Sequence, residues 1–185
     1  MQTAIISVSP RKGSASLNVA KYIQSLAQAK GGDAPLFSFE GISFPSVADG
    51  YIQPADLQGK QKELYDLVVA SQRVVWVIPE YNRMMPSEYV AMIHQFLTKS
   101  FMPFWENKVF GFVGVSSGVG GREPIYTSDK VFNYAINSMS VAGSHVSPFH
   151  FQSTFTGDQF DASGSFIGNE KYAASIQKFV DSFWS

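Results

Sequence analysis

The hydrophobic positions fall into short unbroken runs that alternate with stretches where they recur every three or four residues. The runs are Ala4 to Val8, Leu36 to Phe39, Val74 to Ile78, Val109 to Val115 and Val146 to Phe151, the last holding Pro148. They lack the every-other-residue alternation of a half-exposed strand, so they predict strands covered on both faces, the habit of a parallel sheet flanked by helices. Between them, Leu17, Ala20, Ile23, Leu26 and Ala27 predict a helix from about Ser16 to Ala29, closed by Gly31-Gly32. Leu57, Leu64, Leu67, Val68 and Ser71 mark a second helix. Tyr89, Val90, Ile93, Phe96 and Leu97 mark a third, opened by Pro86-Ser87. Phe132, Ala135, Ile136 and Met139 give a fourth, and Tyr172, Ile176, Phe179, Val180 and Phe183 a closing one. Strand and helix alternate five times. The expected architecture is therefore an α/β class, three-layer α/β/α sandwich around a five-stranded parallel sheet.

Two stretches escape this rhythm. Gly41, Pro45, Gly50 and Pro54 punctuate a long irregular crossover, and Gln152 to Asn169 is a polar, glycine-bearing segment that reads as an ordered surface excursion. Neither has the composition of a linker, so residues 1–185 read as a single domain. On the third helix Tyr89 and Phe96 read either as an exposed subunit interface or as ordinary core.

Composition narrows the chemistry. A net charge of −1 with both signs scattered excludes a polyanion-binding surface, which makes nucleic acid a poor partner and a small molecule a good one. The absence of cysteine removes disulfides and thiolate catalysis together, so any redox work falls to a bound cofactor. His94, His145 and His150 are scattered without metal-ligand spacing, and no metal site is expected. No G-x-S-x-G elbow occurs for a serine hydrolase. The N-terminus lacks an export signal and no apolar run reaches membrane-spanning length, so a cytoplasmic location is the expectation.

In a sheet of this kind the loops after the first, third and fourth strands share one edge, where ligands bind. In this chain those three loops have unusual compositions. The first, Ser9-Pro10-Arg11-Lys12-Gly13-Ser14-Ala15-Ser16-Leu17-Asn18, joins a strand to a helix N-terminus, where free amides, hydroxyls and a guanidinium suit a phosphate. It is neither a G-x-G-x-x-G fingerprint nor a P-loop. The second begins where Val74-Val75-Trp76-Val77-Ile78 stops at Pro79-Glu80-Tyr81-Asn82, since proline ends the ladder at a defined place. The third, Ser116-Ser117-Gly118-Val119-Gly120-Gly121-Arg122, lets the backbone approach a flat ligand and present amides to its polar edge. Each loop alone also reads as an N-cap, a strand exit or a plain turn. Together they suit a mononucleotide with a planar ring.

The three segments, in this order and spacing, resemble the NADPH-dependent FMN reductase family of flavodoxin-like proteins over nearly the whole chain. That resemblance implies a sheet order of 2-1-3-4-5 and bound FMN. It also implies oxidation of NADPH or NADH, transfer to a flavin, quinone, azo or metal-oxyanion acceptor in quinone-reductase-like fashion, and a homodimer or homotetramer. It implies that Ser9, Arg11, Ser14, Ser16, Leu17 and Asn18 hold the phosphate and ribityl end. Pro79, Glu80, Tyr81, Asn82 and Arg83, with Ser116, Ser117, Gly118, Gly120 and Gly121, would then hold the isoalloxazine. No catalytic side chain is required, because the hydride chemistry belongs to the flavin. The 116–121 loop is the candidate for stabilising charge on the reduced ring. Arg83-Met84-Met85 departs from the small residues common in the family, so Arg83 also reads as a contact to the donor's phosphate or to a neighbouring subunit. An electron carrier of the flavodoxin type and a cofactor-poor binding module of the same fold are the alternatives.

Overall fold

A computed structural model describes residues 1–184. The central strands are β1 (Thr3–Ser7), β3 (Arg73–Pro79) and β4 (Val109–Val115), with β2 (Leu36–Ser38) on the outside of β1, all parallel in the order β2-β1-β3-β4-β5. The fifth position is split. β5 (His145–Val146) and β6 (Phe151–Ser153) both pair with β4 in parallel, and the residues between them, including Pro148, leave the ladder. The sequence expectation of one strand from Val146 to Phe151 is corrected to two short ones, because proline has no N–H to donate and is tolerated only at such an edge.

Registry explains why the apolar runs are continuous. Ile6, Trp76 and Phe112 stand side by side across β1, β3 and β4, as do Ile5, Val75 and Gly111 one residue earlier. The first row faces one layer of helices, α2 (Gly59–Ala70), α3 (Ser87–Phe96), α4 (Met102–Trp105) and α5 (Arg122–Ser138), in a core rich in Phe, Tyr and Trp. The second row faces α1 (Ala15–Ala29) and α6 (Glu170–Trp184). A side chain at Gly111 would meet the Phe183 ring at 2.5 Å, so the last turn of α6 fits against β4 there because the residue is a glycine.

Several expectations shift. Leu57 precedes α2 but is still buried, and Met139 caps α5 from outside it. The short helix α4 escaped the periodicity, being too brief to show one, yet it supplies buried Phe104 and Trp105. Tyr89 and Phe96 are fully buried and carry no interface: Tyr89 lies against Trp76 and Phe39, and Phe96 stacks on Phe101 at 4.3 Å. Among the described residues no helix is long and apolar enough to cross a membrane.

Candidate functional site

The loops that follow β1, β3 and β4 converge at one edge of the sheet around a cleft of about 240 Å³. Its walls are Arg11, Gly13, Ser14, Ala15 and Ser16 from the first loop, Pro79, Glu80 and Tyr81 from the second, and Val115, Ser116 and Ser117 from the third.

The first loop is shaped by hydroxyls bonded to one another. Ser14 is the N-cap of α1, its Oγ accepting the Leu17 N–H at 3.3 Å and lying 3.0 Å from Ser16 Oγ, which also accepts from Ser7 Oγ at 3.2 Å. Ser9, fully buried, accepts the Arg11 N–H at 3.2 Å and pairs with the Tyr81 hydroxyl at 2.8 Å. Ser9 and Ser16 therefore set the loop's shape. Leu17 N–H and Asn18 N–H are taken by Ser14, which leaves the Ala15 and Ser16 amides at the start of α1 without an acceptor, beside the exposed Arg11, which has no ion pair among the described residues. A positive dipole end, free amides and a guanidinium are the chemistry that favours an anion.

The second loop turns back on itself. Tyr81 and Met84 exchange two backbone hydrogen bonds of 2.9 Å, with Asn82 at φ 51° and Arg83 at φ 66° between them. Two positive φ values in a two-residue connection define a type I′ turn, for which asparagine followed by glycine is the favoured pair. Asn82 fits that preference and Arg83 does not.

The third loop is tied to the second by Glu80, whose Oε2 accepts the Gly121 N–H at 2.7 Å, while the Glu80 N–H donates to Val115 O at 2.8 Å. Gly114 and Gly121 are in backbone contact, since a side chain at Gly114 would fall 1.7 Å from the Gly121 carbonyl oxygen. The carbonyls of this loop are held from the far side by the segment after β6. Gln152 Nε2 donates to Val119 O at 3.2 Å and to Gly120 O at 2.8 Å. Phe155 N–H donates to Gly118 O at 2.9 Å, and both Thr156 N–H and Thr156 Oγ1 donate to Ser116 O, at 3.1 and 2.9 Å. Of the loop's amides, those of Ser116, Gly118 and Gly121 are themselves bonded, to Ser153 O, Ser116 Oγ and Glu80 Oε2.

Of the expected site residues, Arg11, Ser14, Ser16, Pro79, Glu80, Tyr81, Ser116 and Ser117 border the cleft. Ser9 lies behind it under Tyr81. Leu17 and Asn18 occupy the first turn of α1, Asn18 against Gly164, and Asn82 and Arg83 form the exposed turn. Gly118, Gly120 and Gly121 lie farther along the third loop, Gly121 buried. The sequence reading missed the bordering Gly13, Ala15 and Val115 and the supporting Gln152 and Thr156. Gly13 and Ala15 stand between residues already singled out, whereas nothing local marks Gln152 or Thr156. The histidines are apart: His94 is exposed on α3, His145 lies in β5, and His150 sits between β5 and β6 with Nε2 3.9 Å from Asp129.

The cleft's wall from the first loop carries Arg11 and the hydroxyls of Ser14 and Ser16, and its wall from the second carries Pro79 and the Tyr81 ring. Residues 1–152 match the family model described as NADPH-dependent FMN reductase. No curated protein sequence matches the chain. Among solved structures, the flavoenzyme NAD(P)H:(acceptor) oxidoreductase FerB from Paracoccus denitrificans is similar, with a TM-score of 0.72 and 22% identity over 99% of this chain and 95% of FerB. The apo form of the NADH:FMN oxidoreductase EmoB gives a TM-score of 0.59 at 17% identity, over 99% of this chain and 88% of EmoB. A flavodoxin from Streptococcus pneumoniae TIGR4 gives 0.60 at 10% identity, over 100% and 98%.

Proposed function

The chain belongs to the NADPH-dependent FMN reductase family, and from that premise and the cleft at its sheet edge we propose that it is an FMN-dependent oxidoreductase. It oxidises NADPH or NADH and delivers the two electrons to a small acceptor, a flavin, quinone, azo compound or metal oxyanion, as a homodimer or homotetramer. The observation that carries the reading is the joining of an anion cup to a ring slot: the Ser9–Tyr81 hydrogen bond holds the first loop against the second.

When bound, FMN supplies a hydride acceptor at N5 and an electron donor to the second substrate. The chain's own residues position it. The first-turn amides of α1, Ser14 and Arg11 take the phosphate, and Pro79, Tyr81 and Ser116 enclose the ring. Amides of the 116–121 loop, whose carbonyls Gln152 and Thr156 hold, favour negative charge at the ring's polar edge. Glu80 has its carboxylate on Gly121 and serves as the brace between the two ring loops.

Adding FMN to the purified protein and recording the visible spectrum tests the first half. A yellow 1:1 complex that bleaches anaerobically with NADPH or NADH is the expected result. Absence of a complex defeats the flavin reading, and a complex that neither donor bleaches leaves an electron carrier.

A further inference from the structure

A second cleft, of about 390 Å³, has walls that include Val47, Met84, Met85, Val90, Ala91 and His94. It is lined mostly by carbon, and two of its side chains, Met84 and Val47, are 68% and 43% exposed, apolar surface that nothing in the chain covers. No residue lines both clefts, but one turn carries a wall residue of each. Tyr81 borders the first and Met84 the second, and these residues are directly opposed in an antiparallel bridge, which projects their side chains to the same face.

Arg83 sits at the tip of the turn between them. Glycine is the residue that this backbone position takes without strain, and an arginine there at φ 66° holds a less favoured conformation. Strain of that kind persists where the side chain has a use. Arg83 is exposed and has no ion-pair or hydrogen-bond partner among the described residues, so its guanidinium stands free one residue from Met84.

We infer that the apolar cleft receives the electron acceptor and that Arg83 selects acceptors combining a flat apolar ring with an anionic group, such as an aromatic sulfonate or carboxylate. This rests on the reading of the first cleft as the flavin site. The ring occupies the carbon-lined space between Met85, Val90 and Ala91, and the guanidinium takes the anion in two parallel hydrogen bonds. Arg83 belongs on this account to the acceptor rather than to the flavin.

The test titrates FMN-loaded protein with naphthalene-2-sulfonate and with neutral 2-methoxynaphthalene, neither of which is reducible under the conditions. Arg83→Gly relieves the turn and is expected to keep the fold. It should raise the Kd of the sulfonate at least tenfold and that of the neutral ring less than twofold, and Ala91→Phe should weaken both by filling the cleft. The ratio of kcat/KM for a naphthoquinone sulfonate over the unsubstituted naphthoquinone should fall at least tenfold in Arg83→Gly, a ratio from which any general loss of activity cancels. No binding of the sulfonate to the wild type, an equal effect of Arg83→Gly on both rings, or indifference to Ala91→Phe would each overturn the inference. A protein that binds FMN but is not bleached by NADPH or NADH fails as a reductase while the titration still decides the role of Arg83.

Discussion

Ser9 Oγ and Tyr81 Oη lie 2.8 Å apart, joining the loop after β1 to the loop after β3 across 72 residues of sequence. Ser9 is fully buried and Tyr81 partly so, so the bond is sheltered from water and fixes the width of the cleft between them.

Removing the phenolic hydroxyl in Tyr81→Phe keeps the ring and leaves Ser9 only the Arg11 amide as partner. A lost hydrogen bond of this kind costs about 1 kcal/mol. Thermal unfolding should show that loss, and FMN affinity should fall by less than tenfold, since no group facing the ligand has been taken away.

Arg11 is the opposite case, an exposed guanidinium that holds nothing in the protein. Arg11→Ala should leave stability within about 0.5 kcal/mol and weaken FMN at least tenfold, about 1.4 kcal/mol. Adding Ser9→Ala should deepen the loss mainly through instability. Fluorescence titration of the flavin separates the two effects, and unchanged affinity in Arg11→Ala would mean that the phosphate sits elsewhere.

Gly114, near the end of β4, and Gly118, in the third loop, give a matched pair. A methyl group at Gly114 runs into the Gly121 carbonyl, a backbone atom that cannot swing aside, whereas a Cβ at Gly118 meets nothing within 4 Å. Overpacking typically costs about 1–3 kcal/mol and more where the obstacle is rigid. Gly114→Ala should therefore lose at least about 3 kcal/mol, and Gly118→Ala should stay within about 0.5 kcal/mol. Urea midpoints of the two variants decide it.

The sequence made the layered sheet legible because β1, β3 and β4 are buried on both faces, and such strands read as unbroken apolar runs. Periodicity alone left α3 undecided, since Tyr89 and Phe96 read equally as an interface or as core, and both are buried. Phe96 is covered by Phe101 and Phe104, from segments too short to announce themselves, and Tyr89 by Phe39 and Trp76, distant in sequence. At the site, residue types were legible and pairings were not. Serines that read as phosphate contacts turn out to bond one another. Glu80 bonds a loop 41 residues away, and Gln152 and Thr156 support the site from a segment that reads as a surface excursion. Such bonds follow from registry between strands, which no local pattern carries.

Lys108 offers a test of the fold apart from the site. It is only 3% exposed, and its Nζ donates to Ser71 O at 2.8 Å and Val69 O at 3.3 Å, capping the end of α2 from the start of β4. Burial lowers its pKa to about 8 from an ordinary value of 10.5, against the opposing pull of Glu106. The folded state therefore releases the proton first. Between about pH 8 and pH 10.5 the unfolded chain binds more protons than the folded one, so stability from this group rises with pH through that window and is flat below it. One proton sets the upper limit of the slope, about 1.4 kcal/mol per pH unit. Lys108→Met removes the titration and leaves two carbonyls short of a donor, so it should be less stable than the wild type at pH 10. The gap between the two proteins should narrow as pH falls from 10 to 8, because the wild type alone bears the cost of a buried ammonium. Urea unfolding of both at pH 7, 8, 9 and 10 gives the difference directly, and a gap that stays constant over that range would show that Lys108 titrates as it does in water.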